Sequence, residues 1–81
     1  NEAYIRELIA EVKGYGAQGL NIHFSTASRK MTDLFHSEGL EVSVWTVNEK
    51  KDMYTALLLG CDNITTRQPT TLIEIIKNQK N

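Results

Sequence analysis

The chain has 81 residues, 41% of them hydrophobic, and nine Lys and Arg against ten Asp and Glu give a formal net charge of −1. With no basic block to neutralise a run of phosphates and no apolar run long enough to cross a bilayer, the composition argues against nucleic-acid binding and against a membrane span. The one cysteine, Cys61, excludes an internal disulfide framework, and nothing resembles a signal peptide. A chain this short hides only about 60–65% of its unfolded surface, so its core is thin.

In chain order, helical and strand patterns alternate. From Glu2 to Lys13 the apolar residues Tyr4, Ile5, Leu8, Ile9 and Val12 recur at helical spacing, and Gly14 stands as the stop. Leu20 to Phe24 is a short strand. Ser28 caps a second helix whose apolar face carries Met31, Leu34 and Phe35, ending at Gly39, where a residue without Cβ accepts a left-handed turn. Glu41 to Val47, rich in β-branched residues and Trp, is the clearest strand. Asn48 is placed to cap a third helix with Met53, Ala56, Leu57 and Leu58 apolar, and Gly60 closes it. Asp62 to Thr66 forms the last strand. Pro69 then suits the first turn of a helix through Leu72, Ile73, Ile75 and Ile76, because its missing N–H would have no partner there. The order αβαβαβα, with helices of about ten residues between strands, predicts an α/β fold with three parallel strands and right-handed crossovers.

Strand parity sorts the side chains into two faces. Leu20, Ile22 and Phe24 oppose Asn21 and His23, and Val42, Val44 and Thr46 oppose Ser43, Trp45 and Val47. The first set suits a layer of helices. The second is mixed and polar, and three parallel strands also leave two free edges. The sequence therefore predicts self-association as a homodimer, with the terminal helix, Thr70 to Lys77, as the element most apt to be exchanged.

The stretch Gly39 to Pro69, GLEVSVWTVNEKKDMYTALLLGCDNITTRQP, carries more than periodicity. It resembles, without a gap, the last strands of the glycerophosphodiester phosphodiesterase family barrel, where Gly-x-x-Val-x-Val-Trp-Thr-Val-Asn precedes Gly-Val-Asp-Gly-Ile-Ile-Thr-x-x-Pro. The resemblance runs over residues 19 to 76 and is strongest from Gly39 to Pro69. Asn63 replaces the family's glycine, Thr65 an isoleucine, and Cys61 stands at a usually apolar position. A barrel of this kind takes about 250 residues. The resemblance thus implies a partial TIM (β/α)8 barrel: residues 1–81 as one piece, the C-terminal third, holding the sixth to eighth strands. It also implies a parent acting in lipid metabolism, which hydrolyses a glycerophosphodiester to an alcohol and glycerol 3-phosphate with a divalent metal, Mg²⁺ or Ca²⁺.

In that register Trp45, Thr46, Asn48, Thr66 and Arg67 fall at the carboxyl ends of the strands, where barrel enzymes build their sites. The candidate substrate-binding residues are Trp45, Asn48, His23 and Thr66. Composition alone leaves Trp45 equally core filling or substrate contact, and the resemblance turns it toward the pocket. Asn48 reads first as an N-cap and Thr66 as a strand-end residue that caps the turn. His23 reads as a barrel-lining imidazole bonded to a neighbour, with donation of a hydrogen bond to substrate as the alternative. His36 is expected on the solvent side of a helix C-terminus, and Cys61 as a small buried hydrophobe.

The family's metal and acid–base equipment, a His-Arg pair, a Glu-x-Asp pair and a second histidine, belongs to the first strands of the barrel and has no counterpart in this sequence. Glu2, Glu7, Glu11, Asp33, Glu38, Glu49, Asp52 and Glu74 fall on helices or their ends, and Glu41 and Asp62 at the amino ends of strands. The sequence therefore predicts no catalytic residue, no metal ligand and no cofactor within this chain, and an isolated piece without activity. The alternative is a noncatalytic α/β module that assembles with copies of itself.

Overall fold

A computed structural model describes residues 1–79. Helix α1 (Glu2–Gly14), strand β1 (Gly19–His23), helix α2 (Arg29–Ser37), strand β2 (Glu41–Trp45), helix α3 (Lys50–Leu59), strand β3 (Asn63–Ile64) and helix α4 (Pro69–Gln79) follow in the expected order, with a 3-10 turn at Phe24–Thr26. The strands form one parallel sheet, β1-β2-β3, with β2 in the middle. In register, Leu20 lies beside Val42, Ile22 beside Val44 and Val44 beside Ile64, while Asn21 lies beside Ser43, Ser43 beside Asn63, and His23 beside Trp45.

Two helix starts and two helix ends have a local cause. Asn1 accepts the N–H of Tyr4 at 3.0 Å, and Ser28 Oγ accepts that of Met31 at 3.2 Å, so both helices open on a side-chain cap. Gly39 and Gly60 take left-handed φ of +73° and +85° after α2 and α3, where a Cβ would be strained. Helix α1 includes Gly14 rather than stopping before it.

The core lies on one face of the sheet. Val42 and Val44 are fully buried in a cluster with Ile5, Ile9 and Val12 of α1, Met31 and Phe35 of α2, Met53 and Ala56 of α3 and Ile75 of α4. All four helices therefore cover the same side, as the parity of Leu20, Ile22, Val42 and Val44 predicts. The opposite face carries Asn21, His23, Ser43, Trp45 and Asn63, and among the described residues no helix lies over it.

All three strands end earlier than the sequence predicts, at His23, Trp45 and Ile64, and the side-chain assignment changes with them. Phe24 leaves β1 for the 3-10 turn, and β2 stops at Trp45, which a cis peptide joins to Thr46. Alternation does not continue past the strand, so Val47 does not share the open face with Trp45. It is 1% exposed and packs in the core, while its N–H donates to Thr65 O at 2.9 Å. β3 is only two residues long in its ladder, yet pairing with β2 extends beyond it through Asp62 N–H to Val42 O (2.8 Å) and Thr65 N–H to Val44 O (2.9 Å).

Several ties escape a reading by periodicity. The Asp62 carboxylate accepts from the backbone N–H of Val42 and from His36 Nε2, each at 2.8 Å, so His36 joins α2 to the start of β3 rather than merely facing solvent. Lys13 pairs with Glu38 at the adjoining ends of α1 and α2, and that hydrogen bond and charge hold the Glu38 carboxyl below its ordinary range. Arg29 donates to Leu58 O at 2.6 Å, and the fully buried Thr32 hydroxyl donates to Leu59 O. These two fill carbonyls that the last turn of α3 leaves without helical partners. Exposed pairs such as Glu2–Arg6 and Arg29–Asp33 contribute about 0.3–0.5 kcal/mol each. One fully buried Val or Phe contributes about 1.5–3 kcal/mol, so burial decides the fold.

Two outcomes follow from this packing. At Gly19 a Cβ would fall on the backbone carbonyl of Glu41 in the neighbouring strand, whereas at Gly14 it would meet nothing within 4 Å. Gly19→Ala is therefore expected to lower stability by about 2 kcal/mol in urea melts, and Gly14→Ala to leave it unchanged or raise it by about 0.5 kcal/mol. A neutral Gly19→Ala would show that the two strands part freely. The half-buried Cys61 thiol is pushed up, first by burial and then by the Asp62 charge. Because the folded value is raised, stability from the neutral thiol is complete below the unfolded value and lost as pH rises through the folded one. At about pH 8, alkylation should be markedly slower than for the urea-unfolded chain; equal rates would contradict this environment.

Candidate functional site

A parallel sheet brings the carboxyl ends of its strands to one rim, and the four candidate residues lie along it in two pairs. His23 closes β1 and Trp45 closes β2, side by side in register on the open face. Their ring centroids are 4.9 Å apart with planes at 80°, an edge-to-face contact. Trp45 is 41% exposed and lies outside the hydrophobic core. The imidazole has its own anchor: Ser25 N–H donates to His23 Nδ1 at 3.2 Å, and Ser25 Oγ lies 2.8 Å from the same nitrogen. Thr26 Oγ1 donates to the His23 carbonyl at 2.8 Å, so the 3-10 turn fixes both ring and backbone.

The second pair ties two loops together. Asn48, between β2 and α3, does not cap α3: Glu49 holds the cap position and makes no side-chain cap bond. The Asn48 side-chain oxygen instead accepts the backbone N–H of Arg67 at 2.8 Å and the Thr66 hydroxyl at 3.3 Å. A carbonyl oxygen committed to the loop after β3 is not available to the first turn of α3. Thr66 Oγ1 also accepts the N–H of Gln68 at 2.9 Å, closing the turn before Pro69. Thr46 and Arg67 are exposed on the same rim.

Below the rim, the open face carries a polar row from strand to strand, Asn21, Ser43 and Asn63. Asn63 Nδ2 donates to Ser43 Oγ at 3.1 Å, so the asparagine standing where the family has glycine acquires a partner on the adjacent strand. Among the described residues, Glu49 follows Asn48 at the start of α3, and none of the three strands ends in a carboxylate. Glu41 and Asp62 sit at the opposite, amino ends, and Asp62 is already engaged with Val42 and His36. Among the described residues no three His, Cys, Asp or Glu side chains come together. This donor set does not fit a divalent ion, which takes several converging oxygen ligands. The rim offers an aromatic surface, an anchored imidazole and hydrogen-bonding loops; it can bind and orient.

The sequence places all four candidates on one rim. It does not reveal Ser25, whose signal is no more than a hydroxyl two residues after a strand-end histidine, nor the bond from Asn48 to Arg67, which spans residues far apart in the chain.

The model of the glycerophosphoryl diester phosphodiesterase family matches residues 2–71. No curated protein matches the chain. Among solved structures, a protein from Agrobacterium tumefaciens str. C58 named as a glycerophosphoryl diester phosphodiesterase superposes with a TM-score of 0.83 at 21% identity, over 94% of this chain and 31% of its own. A second so named, from Silicibacter pomeroyi DSS-3, gives 0.70 at 30% identity, over 84% of this chain and 24% of its own. The chain thus spans less than a third of the length of these two proteins. With a three-stranded parallel α/β sheet and the family pattern running through most of its length, the chain belongs to the glycerophosphoryl diester phosphodiesterase family.

Proposed function

We propose that residues 1–81 form one C-terminal piece, the sixth to eighth strands, of a glycerophosphodiester phosphodiesterase barrel, and that this piece supplies part of the substrate pocket but none of the reaction chemistry. The observation that carries the reading is the one-sided core. The four helices pack on one sheet face, while the other presents a polar row beneath Trp45 and His23 with none of the described residues packed over it as a layer. Inner walls of barrels have this character near the mouth, and phosphate-holding loops commonly follow the seventh and eighth strands. The spans shared with the two solved structures support the same reading.

In the complete barrel, Trp45 walls the pocket and His23 contacts the substrate beside it. The Asn48–Thr66–Arg67 bonds hold the two following loops in fixed relation, so that the backbone around them meets the phosphodiester in a set geometry. The parent would cleave a glycerophosphodiester with water, giving an alcohol and glycerol 3-phosphate. A divalent ion, if it serves that reaction, is held by strands other than these, since among the described residues no group of three or more His, Cys, Asp or Glu could hold one. The two free sheet edges support a second reading, a noncatalytic module that pairs with its own copy as a homodimer and covers the open face.

Residues 1–81, incubated with glycerophosphocholine and with bis(p-nitrophenyl) phosphate in Mg²⁺ and then Ca²⁺, are expected to release no product above buffer. A rate that needs metal and is abolished by EDTA would refute the division of labour. In the complete barrel, Trp45→Ala should lower kcat/KM by more than tenfold, about 1.4 kcal/mol of transition-state stabilisation. A lower Tm with unchanged kcat/KM per folded molecule would instead assign Trp45 to packing. Light scattering across a dilution series separates the second reading: a stable, folded monomer at low micromolar concentration excludes it.

A further inference from the structure

The contact between Ser25 and His23 fixes which ring nitrogen carries the proton. A backbone N–H can only donate, and that of Ser25 is directed at His23 Nδ1, which must therefore present its lone pair. In the neutral imidazole the proton is then on Nε2. The Ser25 hydroxyl, 2.8 Å from Nδ1, can donate to it or accept from it and so does not choose between tautomers. The backbone N–H does, because an Nδ1–H tautomer would set one N–H against another and lose that bond. On its other side the ring meets Trp45 edge to face, and among the described residues no hydrogen bond engages Nε2.

We propose that Ser25 is a positioning residue which locks His23 as the Nε2–H tautomer, making it a fixed donor beside Trp45 that reads an acceptor oxygen of the bound phosphodiester. The inference rests on the pocket reading above and adds the role of each group within it. A neutral N–H donor selects for oxygen acceptors without adding charge. Its value lies in pre-orientation: the 3-10 turn holds the ring through two contacts at Nδ1 and the backbone through a third at the His23 carbonyl before any ligand arrives, so little rotational freedom is lost on binding. Oxygen acceptors abound on a glycerophosphodiester, in both its phosphoryl group and its glycerol.

Two measurements test the proposal. Imidazole ¹⁵N spectra of the complete protein at alkaline pH should show the pyrrole-type nitrogen at Nε2, and Ser25→Pro, which removes the N–H directed at Nδ1, should mix the two tautomers. A wild-type ring with its proton on Nδ1, or a spectrum that Ser25→Pro leaves unchanged, overturns the lock. In steady-state kinetics with glycerophosphocholine, His23→Leu should lower kcat/KM by about tenfold. His23→Gln, whose side-chain amide offers an N–H near the position of Nε2–H, should recover to within about threefold of wild type. Equal losses in both variants overturn the donor role. A wild-type barrel with no turnover of any glycerophosphodiester overturns the phosphodiesterase reading and the ligand half of this one, while the spectra still decide the tautomer.

Discussion

The register of β1 on β2 is the constraint on which the remaining structure depends. Gly19 lies against Glu41 with no room for a side chain, and that close approach lets the following residues pair in step as far as His23 and Trp45. A slip of one residue would turn Leu20 and Ile22 out of the core and bring Asn21 and His23 into it. Exposing two large apolar side chains and burying two unpaired polar ones costs several kcal/mol on either account, a large fraction of what so short a chain can have in total. The alignment that satisfies the core is thus also the one that sets an imidazole beside an indole at the rim. Core packing and site geometry are consequences of one register.

The two ends of the sheet are built differently. At the amino ends, side chains are consumed in holding elements together: Asp62 takes the Val42 N–H and His36, and Lys13 meets Glu38. At the carboxyl ends, the hydrogen bonds shape loops, from Asn48 to Arg67 and from Ser25 to His23, and leave ring surfaces exposed. Barrel folds divide stability and function between these ends because residues at the closed end can be fixed for packing while loops at the other vary.

The polar row Asn21, Ser43 and Asn63 limits what can cover the open face. In contact with water these groups cost nothing. Once covered, each needs a hydrogen-bond partner, since an unsatisfied buried donor or acceptor costs about 1–3 kcal/mol. The single bond from Asn63 to Ser43 meets part of that demand. Any covering layer, whether further barrel strands or a second copy, must supply the rest, and an apolar surface would not.

By itself the sequence determined the order and direction of the elements, the helix starts at Ser28 and Pro69, the left-handed ends at Gly39 and Gly60, and the faces of Leu20, Ile22, Val42 and Val44. It also determined the family, through the run from Gly39 to Pro69. These features are written in short spacings: a cap touches residues two or three positions away, and parity repeats every second residue. Only the tertiary structure decided that Val47 enters the core, that Asn48 bonds the loop after β3 instead of capping α3, that His36 meets Asp62, and that Ser25 anchors His23 beside Trp45. Where a strand stops depends on the neighbour it pairs with, and a side chain with several possible partners takes the one that folding brings within hydrogen-bond reach. For Asn48 and His36 those partners lie 19 and 26 residues away, beyond any local pattern.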